Sequence, residues 1–450
     1  MGKYHFIAIG GIGMSGLAKY LLEDGHSVSG SDISDSKYVK NLRDLGASVY
    51  IGHDASNIPD DATIVVSSAI KGNNPELVRA KELGLKIYHR SDMLQEISEM
   101  SKASGMTFIG FSGTHGKTTT SGMASYVLEK AGLKPSFVDG GIVPELHTNA
   151  QHKKGKYFIA ELDESDGTIT KYLTDILVIN NIEEDHLDYY KNGMGDLIKT
   201  FEVAISKSKK VIVNNDNKGI NLLKGNFITF GLDKADYTAK NIKILPEYTT
   251  FDLYHADTLL TQIRIQLAGI HNVYNTLAVA SALIEAGIDI NQIQTYFQNF
   301  TGMGRRFQKV FEFDGIQVFD DYAHHPTEIK ATLNAAIERY GKEHVVAVFQ
   351  PHRYTRLQSL WNNFKDSLQN AERVFVTDVY AASEDKIEGI SGDRFAAELS
   401  NSKYLKGNMH EVAEQLLPAL KKGDIVIGLG AGTITDLGKN IEKALLCMKK

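Results

Sequence analysis

Seven consecutive residues, Gly113-Thr114-His115-Gly116-Lys117-Thr118-Thr119, carry more usable chemistry than any other stretch of the chain. Glycines let backbone N–H groups close around an anion, a lysine adds a positive charge on a flexible stem, and a threonine hydroxyl is a hard oxygen donor for Mg²⁺. The run follows Thr107-Phe108-Ile109-Gly110-Phe111, which reads as a buried strand, and precedes a stretch from Met123 to Lys130 with helical apolar spacing. Strand, loop and helix in that order would let Gly113, Thr114, His115, Gly116 and Thr119 cradle phosphates. Lys117 would then reach the β/γ-phosphates and Thr118 would hold the metal. The longer pattern G-x-x-x-x-G-K-[ST] asks for glycine where Phe111 stands, so the shorter G-T-H-G-K-T-T is the form matched.

A second glycine cluster, Gly10-Gly11-Ile12-Gly13-Met14-Ser15-Gly16, lies between an apolar run and an amphipathic stretch near the start of the chain. Gly11, Gly13 and Gly16 fit G-x-G-x-x-G, with Met14 and Ser15 at the turn into the helix. Asp32 ends the next apolar segment, where a ribose-binding acid would sit. Such a turn offers N–H groups and close backbone approach, so it accepts any diphosphate as well as a dinucleotide. Two phosphate loops in one chain require two phosphorylated ligands, or one that bridges both.

Glu161 follows the apolar run Tyr157-Phe158-Ile159-Ala160, and His186 lies just past Ile176-Leu177-Val178-Ile179. Parallel strands would bring both to the crevice at their C-terminal ends. Further groups cluster in Gly269-Ile270-His271-Asn272-Val273-Tyr274-Asn275, Gly304-Arg305-Arg306-Phe307, Asp320-Asp321-Tyr322-Ala323-His324-His325-Pro326-Thr327-Glu328 and Pro351-His352-Arg353-Tyr354-Thr355-Arg356. Glu161-Leu162-Asp163-Glu164-Ser165-Asp166 and Asn180-Asn181-Ile182-Glu183-Glu184-Asp185-His186 complete the set.

In this order, and over nearly the whole chain, these motifs resemble the Mur ligase family, and its alanine-adding branch above the others. The resemblance implies an ATP-dependent, amide-forming ligase that joins L-alanine to the lactyl carboxylate of UDP-N-acetylmuramic acid through an acyl phosphate. It would release ADP and phosphate in peptidoglycan precursor synthesis. It further implies that Gly11, Gly13, Met14, Ser15, Asp32 and Asn149 bind the UDP sugar. His271 and Asn275 would lie by the adenine, with Arg306 and Asp321 meeting phosphate and ribose. Thr118, Glu161 and His186 would be the Mg²⁺ ligands, and Lys117, Glu161, His186, His324 and Arg353 the catalytic groups. Tyr322, His324, Arg353 and Arg356 would hold the amino acid. Between Arg305 and Arg306, and between His324 and His325 as the base, sequence alone does not choose.

Short apolar runs alternate with helical patterns almost throughout, which predicts α/β domains with parallel sheets. Three are expected: an N-terminal Rossmann-like UDP-binding domain at 1–102, a central P-loop ATPase-like domain at 103–303 and a C-terminal Rossmann-like domain at 304–450. Alternation between Ile242 and Leu267 suggests hairpins, and Gly302-Met303-Gly304 breaks the pattern as a hinge would. A net charge of −6 offers no broad attraction to nucleic acid or to an anionic membrane. The single cysteine, Cys447, excludes an internal disulfide framework and, without a long apolar segment, fits the cytoplasm. Two other readings compete. One is a recycling ligase that attaches a tripeptide to the same UDP sugar. The other is a nicotinamide-dependent oxidoreductase, which leaves Lys117 and the later histidine and arginine motifs without a role.

Overall fold

Runs rich in Val, Ile and Phe become the strands of three parallel-rich sheets, and the chain is an α/β protein with one sheet at the centre of each of three domains. The computed structural model describes residues 1–184, 189–245, 247–382 and 384–448. The first sheet contains β1 (Lys3–Ile7), β2 (Ser27–Asp32), β3 (Ser48–Ile51), β4 (Thr63–Val66) and β5 (Ile87–His89), in the order β3-β2-β1-β4-β5. All its pairs are parallel. The order reverses beside β1, so the glycine-rich turn after β1 opens at the switch point, where doubly wound sheets bind ligands. The helix Ile12–Glu23 starts there and buries Met14, Leu17, Ala18 and Leu21.

The second sheet is built from β6 (Thr107–Ser112), β7 (Ser136–Val143), β8 (Thr148–Gln151), β9 (Tyr157–Glu161), β10 (Ile176–Ile179), β11 (Lys210–Asn214), β12 (Ile228–Gly231), β13 (Tyr237–Ile244), β14 (Thr249–His255) and β15 (Thr258–Ile265). Its order is β15-β14-β13-β12-β11-β10-β6-β9-β7-β8. The strands from β12 to β7 are parallel, and β8 returns antiparallel on β7. β13, β14 and β15 account for the alternation seen between Ile242 and Leu267. The third sheet contains β16 (Gln308–Phe313), β17 (Ile316–Asp321), β18 (Val345–Phe349), β19 (Arg373–Val376), β20 (Ser402–Tyr404) and β21 (Ile425–Leu429), ordered β16-β17-β21-β18-β19-β20. Only β16 is antiparallel to its neighbour.

By contact the chain divides into two units. One is Met1–Asn241 with Phe251–Ile263 and Tyr274–Phe300, and the other is Ile242–Thr250 with Arg264–Val273 and Thr301–Lys450. Within the first unit, Phe6 from the first sheet and Leu17 and Leu21 from the helix Ile12–Glu23 share one hydrophobic cluster with Phe108, Phe158 and Ile179 from the second sheet, which is why two sheets make one unit. Polar ties reinforce it: the Lys19 ammonium donates to the Ala150 carbonyl at 2.6 Å, and the Tyr20 hydroxyl meets Ser101 Oγ at 2.8 Å. In the second unit the sheet is buried on both faces. Ala347, Phe349 and Ile427 lie in one cluster, and Val346, Val348 and Val426 in the other.

One buried carboxylate organises the first sheet. Glu76, fully buried in the first turn of the helix Pro75–Glu82, accepts from the Ser31 hydroxyl, from Asn57 Nδ2 at 2.6 Å and from the Asp54 N–H at 3.4 Å, and its Oε2 lies 3.3 Å from His53 Nδ1. Removing a carboxylate so surrounded strands every donor at once. Glu76→Ala is therefore expected to destabilise the protein by about 3–5 kcal/mol, as when one partner of a buried polar network is lost. Urea denaturation measures it, and a change within the surface-mutation range of roughly 0.5 kcal/mol would contradict it.

Candidate functional site

The loop between β6 and the helix Lys117–Lys130 is shaped by two left-handed glycines, Gly113 at φ 126° and Gly116 at φ 83°. A Cβ on Gly113 would lie 2.8 Å from the Asn181 carbonyl oxygen, and one on Gly116 would lie 2.6 Å from Asn275 Oδ1. Neither position tolerates a side chain. Asn181 braces the loop from β10: its carbonyl accepts the Thr114 N–H at 3.1 Å and its Oδ1 accepts the His115 N–H at 2.8 Å. The Thr114 hydroxyl accepts from the Glu183 N–H at 2.9 Å. Thr114 and His115 thus hold the loop's shape, which leaves the first helical turn, Gly116 to Thr119, to face an anion with its N–H groups.

Lys117 is turned back into this loop. Its ammonium donates to the Gly113 carbonyl at 2.7 Å and lies 3.0 and 2.9 Å from the two oxygens of Glu164. Burial alone would lower its pKa, but the charge of Glu164, with Asp163 and Glu161 behind it, holds Lys117 above its ordinary value. Asp163 is half-buried; its desolvation would raise it, yet Lys117 and Arg90 depress it to about 2, and Arg90 Nη2 meets it at 3.0 Å. Glu161 ends β9, and its Oε2 accepts the Gly140 N–H at 3.1 Å. Val138 pairs with Ala160, so Asp139 on β7 stands beside Glu161; it is buried, and burial pushes its carboxyl well above the usual range.

Thr118 follows Lys117, Glu161 adds its charge to the field at Lys117 and Asn275 stands beside Gly116, while His186 lies outside the described residues. Thr118 and Glu161 supply the hard oxygen donors that Mg²⁺ prefers alongside phosphate oxygens and water.

The first glycine cluster is arranged differently. Gly11 and Gly13 are uncrowded: a Cβ there would find nothing nearer than 3.7 and 3.8 Å, the latter at Arg90 Nη1. At Gly16 a Cβ would lie 2.8 Å from Asn149 Nδ2, which donates to the Ile12 carbonyl at 2.6 Å. Gly16 serves helix–sheet packing, whereas the open space at Gly11 and Gly13 is what a closely approaching ligand needs. Asp32 faces inward to the loop, accepting the Gly10 N–H at 2.9 Å and the Ser34 N–H at 3.1 Å. Met14 and Ser15 are buried; the Ser15 hydroxyl donates to the Ile12 carbonyl and its N–H to the Gly11 carbonyl at 2.8 Å, so Ser15 is committed to the helix start.

In the second unit, Arg305 donates to Asp320 at 3.1 Å and to the Gly430 carbonyl at 2.7 Å, which commits it to the fold. Arg306 lies 3.5 Å from Glu328 and stands over the Tyr322 ring at 5.6 Å. Asp321 is buried and accepts the Phe307 and Ala323 N–H groups at 2.8 and 2.7 Å; burial lifts it to about 6. It shapes the turn after β17 instead of offering an open acceptor. His271 is held down to about 4 by burial and by the Arg306 charge.

His325 caps the helix Pro326–Tyr340 in a capping box with Glu328, and this separates it from its neighbour. His324 Nδ1 lies 3.0 Å from the Tyr322 carbonyl, which only accepts, so Nδ1 carries the proton and Nε2 keeps its lone pair. Its ring centroid is 5.1 Å from Tyr322 and 5.8 Å from His352. Arg356 Nη1 donates to His352 Nδ1 at 3.1 Å, and burial, with the nearby charges, lowers His352 to about 4. Arg353 is exposed and left-handed at φ 68°, its N–H bonded to the Tyr380 carbonyl at 2.9 Å.

Several of these groups are not singled out by the sequence. Arg90 ends the short run Ile87-Tyr88-His89, and Asn180-Asn181 follows β10; a polar residue just past an apolar run was the available signal. Glu164 and His352 sit inside recognised motifs without a distinguishing spacing.

Three family descriptions match in succession: Mur ligase family, catalytic domain, over residues 3–102; Mur ligase middle domain over 111–283; and Mur ligase, glutamate ligase domain over 305–432. The UDP-N-acetylmuramate–L-alanine ligase of Trichlorobacter lovleyi is 40% identical, the match covering 98% of this chain and 99% of that one. The enzyme of the same name from Caldicellulosiruptor saccharolyticus is also 40% identical, over 99% and 98%. Among solved structures, the UDP-N-acetylmuramate–alanine ligase of Thermotoga maritima superposes over 100% of both chains with a TM-score of 0.85 and 28% identity. A murein peptide ligase from Psychrobacter arcticus, at 20% identity and TM-score 0.71, shares the fold over 99% of both.

A Cβ on Gly140 would lie 2.2 Å from Glu161 Oε2. Gly140→Ala should therefore displace Glu161 from its place beside Lys117 without disturbing the sheet. Turnover is expected to fall by roughly 10²-fold, the scale of a misplaced reacting group. Steady-state kinetics with a matched thermal melt checks this, and unchanged turnover would free Glu161 from the site.

Proposed function

The chain belongs to the Mur ligase family, and we propose that it joins L-alanine to UDP-N-acetylmuramic acid at the expense of ATP, in peptidoglycan precursor synthesis. The observation that carries this reading is the pairing, in one unit, of an uncrowded glycine turn after β1 with a braced phosphate loop after β6. Each takes one phosphorylated ligand. On this reading 1–102 binds the UDP sugar, 103–303 binds ATP and 304–450 receives the amino acid.

The UDP diphosphate meets the N–H groups of the first helical turn, Ile12 to Met14, with Arg90 as a cation beside them. The N–H groups of Gly116 to Thr118 and the Lys117 ammonium hold the β/γ-phosphates, and by family resemblance Asn275 faces the adenine and Arg306 meets phosphate. Thr118, Glu161 and, by family resemblance, His186 would hold Mg²⁺, which neutralises phosphate charge when bound. A lactyl carboxylate oxygen bonds to the γ-phosphorus as the bond to the ADP oxygen breaks, and positioning with charge neutralisation accomplishes this step. The alanine nitrogen then bonds to the acyl carbon and phosphate leaves. Arg353 and Arg356 hold the alanine carboxylate, and the amine's proton goes to His324 Nε2, the nitrogen left unprotonated by the contact with Tyr322. Among the described residues no helix is long and apolar enough to cross a membrane, and with nucleotide substrates we place the reaction in the cytoplasm.

Phosphate release that requires UDP-N-acetylmuramic acid and L-alanine together tests the proposal. Release dependent on a tripeptide instead of alanine would favour the recycling activity. Lys117→Ala should stay folded and lose roughly 10³-fold in turnover, the scale of one electrostatic contact to a developing charge. Gly13→Val fills a space that the protein itself leaves open, so binding of UDP-N-acetylmuramic acid should weaken by at least tenfold, about 1.4 kcal/mol, while ADP binding is unchanged. Calorimetry showing ADP lost and the UDP sugar retained would reverse the assignment of ligands to loops.

A further inference from the structure

A lysine ammonium has three protons to donate, and those of Lys117 are directed at protein: the Gly113 carbonyl at 2.7 Å, the Thr114 carbonyl at 3.3 Å and the Glu164 carboxylate at 2.9–3.0 Å. For Lys117 to reach a phosphate, one of these must let go. The two carbonyls belong to the loop that binds the nucleotide and move only if the loop does. Glu164 is different. Its backbone carbonyl is anchored by the Gly167 N–H at 2.9 Å and by the Tyr190 hydroxyl, so its main chain is fixed while its side chain alone reaches the lysine. It is also the one of the three with the charge of a phosphate oxygen, and it is 1% exposed against 13% for Lys117.

We propose that Glu164 is a built-in stand-in for the nucleotide phosphates. It holds the Lys117 ammonium in place while the loop is empty, yields it to the β/γ-phosphates when ATP enters, and competes for it again once ADP is formed. A cation enclosed this deeply needs a counter-charge at every stage, and exchange of one anion for another provides it without exposing Lys117 to water. Glu164 is then a positioning residue whose effect is to weaken nucleotide affinity and hasten release of ADP. The inference rests on the reading that Lys117 meets the phosphates.

Glu164→Gln keeps shape and hydrogen bonding and removes the competing charge. In the full-length protein, ADP measured by calorimetry should bind roughly tenfold tighter, and the KM for ATP should fall in parallel. The kcat should fall as well, since tighter ground-state binding slows product release. A residue that merely aligned Lys117 for the phosphates would give the opposite sign, with ADP binding weakened; that result, or unchanged affinity, overturns the proposal. Should the variant fold poorly, a crystal structure of the wild-type protein with ADP decides instead: Lys117 must have left Glu164 by more than the ~4 Å limit of an ion pair, and a bridge still in place refutes the exchange. Lys117→Ala keeps the two readings apart. Unchanged ADP affinity in that variant would count against the phosphate loop itself, not against Glu164 in particular.

Discussion

A charged ammonium that is nearly out of contact with water must have anionic or carbonyl oxygens on every side, and much of the first unit is arranged around that requirement at Lys117. Three strands contribute. β6 leads into the loop whose carbonyls receive the ammonium, β9 leads into the acidic turn carrying Glu161, Asp163 and Glu164, and β10 leads into Asn180 and Asn181. These strands are adjacent and parallel, so their C-terminal ends open side by side. Antiparallel neighbours would send one of the three turns to the opposite edge of the sheet.

The same acidic turn reaches both phosphate loops. Glu164 takes Lys117, and Asp163, one residue earlier, takes Arg90 beside the first glycine turn. Two adjacent carboxylates thus pair with Lys117 in the second glycine loop and with Arg90, which starts the helix after β5 beside the first. The loops differ in how glycine is used. At Gly113 and Gly116 the surrounding asparagines leave no room for a side chain, and the backbone is left-handed, so glycine is required by the protein. At Gly11 and Gly13 the protein imposes no such demand, which is the space the proposed UDP-sugar site would use.

That distinction marks how far the sequence could be read. Strand–loop–helix order was legible because apolar runs and glycine clusters are local signals, and Lys117, Thr118 and Glu161 fell where those signals put them. Gly16 looked equivalent to Gly11 and Gly13 in the G-x-G-x-x-G pattern, yet it packs against Asn149, more than a hundred residues away. Asp32 and Asp321 are acids at strand ends, as open acceptors would be, and each accepts one backbone N–H from its own turn, Ser34 or Ala323, and one from a distant segment, Gly10 or Phe307. The commitment of Arg305 to the fold was likewise invisible, since it depends on Asp320 and on the Gly430 carbonyl just past β21. Pattern reports which residue types are near an end; hydrogen bonds from distant segments decide which of them stay available.

The histidines of the second unit follow the same rule. Of the two rings that face each other, His352 takes an arginine proton at Nδ1 and sits among Arg353 and Arg356, so positive charge and burial keep it neutral and its remaining nitrogen bears hydrogen. It has no lone pair to offer an ammonium. His324 gives its Nδ1 proton to a carbonyl, so its Nε2 is a free acceptor, and Glu328 at 3.5 Å favours the imidazolium that forms when a proton arrives there. Burial and the arginines oppose that charge, which favours neutral His324 at rest, as the proposed transfer of the amine's proton would need. A base must be unprotonated at rest and stabilised once protonated. Of His324, His325 and His352, with His325 spent as a helix cap, only His324 meets both conditions.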